Sequence, residues 1–498
     1  MKLLNKSNIS LLIVIIVYSL FTLMCLNHGY FWDNIQQISK EAHWFYLTDF
    51  SSLLMPAPNS GSEIVATGYH PPLMGIMTAA LWKIFGYELW VSHVFIFLWF
   101  AILIYNLIKI INRFFDKNYA GWILPIVLLE STLLTQFAIA SPDFILFTAF
   151  IISLRAILER KKVLLAFGIF FLCMINMRGV FVGAILFVCH SYYIHLQSSN
   201  KKSVNQIFKT ILPYLPTAII LISYFTYYFC QNGWFFSNSS TNGHYSMPNG
   251  LERIIKHLAE FTLRSIENGR IIIWAIGFVV GFFTWKRRSV ISTENKFLLS
   301  VFILLSALYL LFVVITQMPF SARYFMPQFF ILTILSMYGL TQMIKTRNVK
   351  LLFLLVICFE LTGSLWIYPD KIAKSWDCTL AHLPFYELRK DCFDYVDQQH
   401  INYNEISSGF CLYGNRKFVE LNNADKIVGD EPDRKYFIYS NISNIEDGLA
   451  ENLKNENLWL QIKEFRKGFV FISIYEKKLN ENSSKQPQSF RVSKIKNR

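Results

Sequence analysis

Apolar runs long enough to form membrane-spanning helices recur along the chain from Leu11 to Tyr368. An α-helix rises about 1.5 Å per residue, so about 20 apolar residues are needed to cross about 30 Å of hydrocarbon. The pattern predicts eleven spans, near residues 8–27, 90–111, 119–138, 143–158, 163–177, 179–197, 210–230, 270–285, 297–317, 324–344 and 349–368. The apolar run at 72–85 is too short to span, and it predicts an interfacial or re-entrant helix in the first loop.

The distribution of basic residues predicts the topology, because short loops rich in Lys and Arg stay in the cytoplasm. With the N-terminus inside, nineteen Lys and Arg residues of the predicted membrane domain lie on the cytoplasmic side and eight on the other. Counting 72–85 as a span would place the basic segments near Arg160 and Arg287 outside. No small-residue cleavage site follows the first 27 residues, so we interpret them as a retained helix rather than a signal peptide.

The composition agrees with a membrane protein, since 54% of residues are hydrophobic and 16% are charged, against about a quarter charged in soluble domains. The net charge of +14 arises almost entirely from residues 1–368, which hold 27 Lys and Arg against 14 Asp and Glu. These charges follow the predicted cytoplasmic loops. Nucleic-acid binding is therefore disfavoured as their explanation.

Three long segments are expected on the outer face, at residues 28–89, 231–269 and 369–498. Long loops in a helical bundle are often functional. The last segment alternates an amphipathic stretch at 389–400 with strand-like stretches at 435–442 and 468–477. We predict a membrane domain at 1–368, a small extracytoplasmic α/β domain at 369–478 and a disordered tail at 479–498.

Cysteine and motif patterns add little chemistry. Five of the eight Cys residues lie in or beside spans, whereas Cys378, Cys392 and Cys411 follow the last span. One disulfide among these three, with Cys378–Cys392 as the favoured pair, fits an oxidising compartment and would leave one odd thiol. The sequence has no CxxC, HExxH, Walker A or GxGxxG motif, so no metal site and no cofactor are predicted.

Ionisable residues recur at the predicted outer ends of helices, at one membrane depth. These residues are Asp33, His70, Asp143, Arg178 and Arg323, the last followed by Tyr324. A carboxylate facing cations at the bilayer edge has the groups needed to transfer a sugar from a lipid phosphate to a hydroxyl. We therefore treat this set as the candidate site.

Each candidate also has a structural explanation. Asp143 follows a proline at a helix N-terminus, where a carboxylate caps free N–H groups. Arg178 and Arg323 fit interface anchors whose charged heads reach water. His70 fits a satisfied polar residue before a proline turn, and Asp33 fits a solvated loop acid. Glu130 and Glu360 lie inside predicted spans, where buried, protonated or mutually bonded carboxyls are as good an explanation as catalysis.

The order of several motifs resembles a known class of membrane enzymes. After the early Asp33 come YHPPL at 69–73, GYELWVSH at 86–93, PD at 142–143 and ARY at 322–324. This order resembles the GT-C class of polyprenyl-phosphate-sugar-dependent glycosyltransferases. The nearest groups are the protein mannosyltransferases and the lipid A aminoarabinose transferases, which are glycosyltransferase family 39-like. The resemblance covers about residues 1–345.

The resemblance implies a site and a reaction. Asp33 would act as general base, and Asp143 would be the second catalytic acid. His70, Arg178, Arg323 and Tyr324 would bind the donor phosphate. The family often has Asp-Glu in the first loop, whereas this chain has Asp33-Asn34.

The implied enzyme is a hexosyl- or pentosyltransferase acting by single displacement with inversion. Its partners would be a polyprenyl-phosphate sugar and a glycan, lipid or protein acceptor, and neither nucleotide nor metal is implied. It would lie in the plasma membrane, the inner membrane of a bacterium.

Other functions remain open at the level of sequence. A secondary transporter or flippase of a lipid-linked or small polar substrate would explain the number of spans and the intramembrane carboxyls. A polysaccharide polymerase or ligase would use a similar donor. A non-enzymatic scaffold for the C-terminal domain is the simplest alternative.

Overall fold

The fold is taken from a computed structural model, which describes residues 6–56, 63–65, 70–197, 210–233, 250–287, 291–316, 320–344, 346–366, 368, 375–422, 425–443 and 445–478. The chain forms two compact units. The first comprises Met1–Leu383 and Arg416–Ala424, and the second comprises Pro384–Asn415 and Asp425–Arg498. The predicted tail at 479–498 lies outside the described residues.

The first unit is built from helices. They are α1 (Lys6–Cys25), α2 (Glu41–Leu47), α3 (Leu73–Phe85), α4 (Leu89–Phe114), α5 (Lys117–Leu128), α6 (Ser131–Ala138), α7 (Pro142–Glu159), α8 (Lys162–Ile175), α9 (Met177–Gln197), α10 (Leu215–Asn232), α11 (Leu251–Ile266), α12 (Ile271–Lys286), α13 (Thr293–Ile315), α14 (Met326–Met343) and α15 (Thr346–Leu361). A π-helix, Ile35–Lys40, precedes α2, and a 3₁₀ helix, Ala322–Phe325, precedes α14.

Several of these helices are long and apolar enough to cross a membrane. Within the described ranges, five qualify: Leu89–Phe114, Met177–Gln197, Thr293–Ile315, Ala322–Met343 and Arg347–Leu365. Two bent pairs, α5 with α6 and α11 with α12, raise the number to seven. The predicted class, an α-helical polytopic membrane protein with a small α/β C-terminal region, is confirmed. The number of eleven spans stays a prediction.

Two breaks in helices create polar positions inside the bundle. The axis bends by 58° between α5 and α6, where Glu130 is extended and its Oε2 accepts the Leu133 N–H at 2.7 Å. It bends by 91° between α11 and α12, where Gly269 has a φ of +86°. Helix α11 lies in a stretch that the sequence predicted as loop, 231–269, of which 234–249 are outside the described residues. The short predicted helix at 72–85 is present as α3.

Helix α7 lies at the centre of the first unit. Every residue from Pro142 to Leu158 is buried. Arg155, a predicted cytoplasmic residue, is buried near the C-terminal end of α7, where it bonds Glu159 at 2.9 Å and Asn106 at 3.0 Å. A fully buried helix is apolar on all sides, which explains why its sequence shows no polar face. Its N-terminus carries Asp143.

The second unit is a small α/β domain. A four-stranded sheet has the order β1 (Ile406–Ser408), β4 (Tyr436–Ser440), β6 (Val470–Lys477) and β5 (Trp459–Lys467), and a pair is formed by β2 (Gly414–Asn415) and β3 (Ile427–Val428). The β1–β4 pairing is parallel, and the other pairings are antiparallel. The remaining helices are α16 (Pro384–Gln398), α17 (Lys417–Glu420), which belongs to the first unit, and α18 (Asp447–Leu453).

The division of the chain differs from the expected boundary at 368. It falls after Leu383, because the segment that follows α15 packs within the first unit. There the Gln136 side chain donates to the Asp377 carbonyl, and the His382 ring stacks on Phe31 with centroids 4.6 Å apart. Cys378 is therefore part of the first unit. The expected disulfide is wrong: among the described residues, Cys378, Cys392 and Cys411 are buried and none takes part in a disulfide bond.

Candidate active site

The loop after α1 presents Asp33 toward the N-terminus of α7. Trp32, with a φ of 54°, turns the chain, and the Asp33 carbonyl accepts the N–H groups of Gln36 and Gln37 at the start of the π-helix. Asn34 donates from Nδ2 to the Ile139 carbonyl at 2.8 Å, which ties this loop to the end of α6. The Asp33 side chain is 32% exposed.

Asp143 occupies the first turn of α7. Ser141 is the N-cap, and its hydroxyl accepts the Asp143 N–H at 3.1 Å. Pro142 starts the helix, where its missing N–H leaves no hydrogen bond unmade. A carboxylate is favoured at this position by the helix dipole, so the capping explanation holds locally. The carboxylate nevertheless also makes two long-range ion pairs.

Arg323 is the centre of the site and contacts three carboxylates. Its Nη2 bonds Asp33, its Nη1 lies 2.9 Å from Asp377 Oδ2, and its Nε lies 3.2 Å from Asp143 Oδ2. The side chain is only 5% exposed. A planar guanidinium with five donors suits this arrangement better than an ammonium group. Arg323 thus holds three acids from three different segments in one cluster.

Arg178 forms the second cationic element of the cluster. Its Nη2 lies 2.6 Å from Asp143 Oδ1, and its guanidinium lies 4.0 Å from the centroid of the Tyr324 ring. The turn between α8 and α9 is tight, because a Cβ at Gly179 would lie 1.6 Å from the Leu172 carbonyl oxygen. Arg178 is 17% exposed and is the more accessible of the two guanidiniums.

His70 lies beside the cluster, where Arg178, Asp33, Asp143 and Arg323 all act on its ring electrostatically. The Met177 N–H donates to His70 Nδ1 at 3.4 Å. Burial, together with the nearby Arg178, lowers the pKa of His70 from 6.5 to about 4. His70 is therefore neutral at pH 7, so it can offer a phosphate an N–H group but no positive charge.

Asp377 belongs to the cluster and was not predicted. It lies in a 3₁₀ turn, Trp376–Cys378, and its Oδ2 also accepts from the Ser321 hydroxyl at 3.4 Å. Burial raises the pKa of Asp377, while Arg323 acts in the opposite direction. The expected domain boundary at 368 placed this residue in the C-terminal domain. The available signal was an acid flanked by Trp and Cys just after the last predicted span, on the same face as the other candidates.

The cluster carries more negative than positive charge. Three carboxylates face two guanidiniums, and His70 is neutral. Arg323 is already surrounded by acids, so an incoming phosphate meets less repulsion at Arg178. In the described part of the chain, no group of three or more His, Cys, Asp or Glu residues has the arrangement of a metal site.

A second buried ion pair supports the segment that carries Arg323. Arg270 bonds Glu130 Oε1 from Nε at 2.9 Å and donates from Nη1 to the Ala322 carbonyl at 2.6 Å. Glu130, flagged in the sequence as an intramembrane acid, is thus a bonded and capping residue. Glu360 is also buried, and neither of its carboxyl oxygens has a hydrogen-bond partner among the described residues.

Comparisons with known proteins identify the fold alone. No family model matches the chain, and a search of curated proteins finds no significant match. The chain is similar to the crystal structure of ArnT from Cupriavidus metallidurans in the apo state, with a TM-score of 0.54 and 11% identity over 93% of this chain and 97% of that one. The same protein bound to undecaprenyl phosphate gives a TM-score of 0.50 and 10% identity over the same shares. The expected GT-C-like fold is confirmed.

Proposed function

We propose that the protein is a membrane glycosyltransferase that moves a sugar from a polyprenyl-phosphate donor to a hydroxyl acceptor. The observation that carries this proposal is the part-exposed Asp33 carboxylate, paired with Arg323 in a cluster that also holds Arg178, at one end of a GT-C-like bundle. The ArnT structure bound to undecaprenyl phosphate supports the donor class. The cluster supplies a base for the acceptor and a cation for the leaving group.

The reaction is a single displacement at the anomeric carbon. Asp33 accepts the proton of the acceptor hydroxyl as its oxygen attacks the anomeric carbon. The bond from that carbon to the phosphate oxygen breaks, and polyprenyl phosphate leaves with the electron pair. One displacement inverts the configuration at this carbon. Among the three clustered acids, Asp33 is assigned as base because Asp143 and Asp377 are almost fully buried.

The two guanidiniums have different parts in this mechanism. Arg178 is assigned to the donor phosphate, because it is the more exposed cation and pairs with one carboxylate. Arg323 orients Asp33 and Asp143 through its ion pairs with them. Its positive charge also stabilises the negative charge of the leaving phosphate. Tyr324 and neutral His70 complete the phosphate side as stacking partner and N–H donor.

The proposed orientation follows the distribution of basic residues. The N-terminus lies in the cytoplasm, and the carboxylate cluster and the C-terminal unit lie outside, in the plasma membrane of a bacterium. Donor lipids on that side carry their own phosphate leaving group, so the reaction needs no nucleotide.

The purified full-length protein in lipid nanodiscs tests the proposal directly. Incubation with undecaprenyl-phosphate sugars and a cell-envelope lipid extract is expected to release undecaprenyl phosphate and label an extract component. Nucleotide sugars with the same extract are expected to give no product. Product formed from nucleotide sugars alone would contradict the proposal. The proposal would also be contradicted if every undecaprenyl-phosphate sugar tested with the extract stayed uncleaved.

The buried acids Glu130 and Glu360 favour one other candidate, a transporter or flippase, because intramembrane carboxyls mark ion pathways. A flippase would move a lipid-linked sugar across vesicles and leave its glycosidic bond intact. Measuring both the sidedness and the integrity of the donor distinguishes the two functions.

A further inference from the structure

A large cavity lies between helices α12, α13 and α14, toward the ends of α12 and α14 that are remote from the carboxylate cluster. Its volume is about 1130 Å³. Helices α12 and α14 touch closely at small residues, since a Cβ at Gly339 would lie 2.1 Å from Val280 Cγ1. At the next residue of α12 the wall recedes, because a Cβ at Gly281 would meet nothing within 4 Å. Leu299 and Leu332 contribute to the apolar wall.

Some polar groups at this cavity lack an ion-pair or hydrogen-bond partner among the described residues. Lys286 and Arg287 line one end, and within the described ranges no acid forms an ion pair with either. Ser336 lines the interior and is 1% exposed, and its hydroxyl lacks a hydrogen-bond partner among the described residues. The Asn295 Oδ1 atom is likewise buried and unpaired. Buried polar atoms without partners are uncommon, and here they leave hydrogen-bonding capacity that a ligand can use.

The arrangement matches the parts of a phospholipid. Lys286 and Arg287, at the end of α12, are placed to bind a lipid phosphodiester. The Ser336 hydroxyl lies roughly 10 Å deeper along α14 and is placed to donate to an ester carbonyl. Apolar walls below it accommodate acyl chains. Two cations at one end favour an anionic headgroup over a zwitterionic one, as basic pockets between transmembrane helices do elsewhere.

This cavity is distant from the proposed donor phosphate. Arg323 precedes α14, whereas the basic end of the cavity lies near Tyr338 and Met343, roughly 22–30 Å further along the helix axis. That separation is close to the thickness of the hydrocarbon core. A headgroup at Lys286 therefore belongs to the leaflet opposite the carboxylate cluster.

We propose that this cavity binds an anionic phospholipid from the leaflet opposite the carboxylate cluster. Its phosphate lies between Lys286 and Arg287, and its acyl chains pass over Gly281. The proposal does not depend on the glycosyltransferase assignment, because none of these residues belongs to the carboxylate cluster.

The wild-type full-length protein gives the first test. It is reconstituted in phosphatidylcholine vesicles that contain a trace of photoactivatable phosphatidylglycerol, and crosslinked peptides are mapped by mass spectrometry. Crosslinks are expected in residues 277–287 and 332–343, and excess phosphatidylglycerol is expected to remove them while excess phosphatidylcholine does not. Equal competition by both lipids would overturn the proposed selectivity for an anionic headgroup. Selective competition by undecaprenyl phosphate would overturn the proposal and assign the cavity to the donor lipid.

Two kinds of variant separate the effect of the cationic side chains on lipid binding from the effect of the cavity volume. K286Q/R287Q is expected to weaken phosphatidylglycerol binding about 30-fold, since each basic side chain near a membrane surface contributes roughly fivefold. Gly281→Leu fills the cavity and is expected to lower crosslinking with both cations intact. K109Q/K117Q removes two exposed cations elsewhere and is expected to bind as the wild type does. An equal loss in this control would attribute binding to overall charge and overturn the proposal.

Discussion

Arg323 Nη1 lies 2.9 Å from Asp377 Oδ2, which joins the start of α14 to the segment that follows α15. The same guanidinium bonds Asp33 and pairs with Asp143. Asp377 thereby supplies a further acid to the cluster that holds Asp33, although the residue that follows Asp33 in the sequence is the neutral Asn34. The acid comes from a distant part of the chain, so the local motif alone understated the number of carboxylates in the site.

The first prediction concerns Asp33. Replacing it by Asn keeps the size and polarity of the side chain but removes the proton acceptor, so turnover is expected to fall about 10²- to 10⁴-fold. Donor affinity is expected to change little, because Arg178 binds the phosphate. Release of polyprenyl phosphate and donor binding are measured on the same preparation. Asp49→Asn, an exposed acid in the same outer segment, is the matched control. Wild-type turnover in well-folded Asp33→Asn would remove Asp33 as base.

How far the sequence predicts this site depends on the kind of signal. Apolar run length predicted the helices, and the position at helix ends predicted Asp33, Asp143, Arg178 and Arg323, because a polar group beside a span must lie near its edge. Their convergence on one guanidinium depends on how the helices pack, which run length does not encode. The neutrality of His70 and the inclusion of Asp377 depend on burial, which arises only from the tertiary fold.

The second prediction separates the two guanidiniums. Arg178→Gln is expected to weaken donor binding roughly 10- to 100-fold, since a hydrogen bond to a charged group contributes about 1.5–3 kcal/mol. Arg323→Gln leaves buried Asp377 without its ion-pair partner and Asp143 with Arg178 alone of its two cations, and it is expected to destabilise the fold by about 3–5 kcal/mol. Thermal unfolding and donor titration distinguish the effects. Lys83→Gln, which breaks an exposed pair, is expected to cost no more than about 1 kcal/mol. Equal donor affinity in Arg178→Gln and the wild type would show that residues other than Arg178 bind the donor phosphate.

The third prediction concerns pH. Because the pKa of His70 is lowered from 6.5 to about 4, the unfolded chain binds a proton between these values that the folded protein does not. The stability contributed by neutral His70 is present above pH 6.5 and is lost as the pH falls toward 4. The unfolding temperature is therefore expected to fall over this window, and less steeply in His70→Gln.

Other groups with shifted pKa values make that variant necessary. His382 has its pKa lowered to about 4 by burial and acts with the same sign, whereas the raised pKa of Asp377 stabilises the fold at low pH and acts with the opposite sign. Only the difference between wild type and His70→Gln isolates His70. Parallel curves for the two proteins would show that His70 has similar pKa values in the folded and unfolded states.

The fourth prediction concerns topology. Reporter fusions after Lys162 and Arg287 are expected to report the cytoplasm, because both follow basic segments. Fusions after Asp49 and Gln398 are expected to report the outside, where the carboxylate cluster and the second unit are proposed to lie. An outside signal after Arg287 would invert the later helices and move the proposed phospholipid site to the other leaflet.

The fifth prediction concerns the buried ion pair of Glu130 and Arg270. Arg270 also donates to the carbonyl of Ala322, the residue that precedes Arg323. Arg270→Met leaves the Glu130 carboxylate without its partner and is expected to destabilise the protein by about 3–5 kcal/mol. Glu130→Gln alone leaves a buried cation and is expected to cost a similar amount. The double variant removes both charges, so it is expected to be more stable than either single variant. Unfolding of all four proteins gives the coupling energy. Additive losses would show that the two side chains are not coupled, and Arg323 would then be held in place by its own three carboxylates alone.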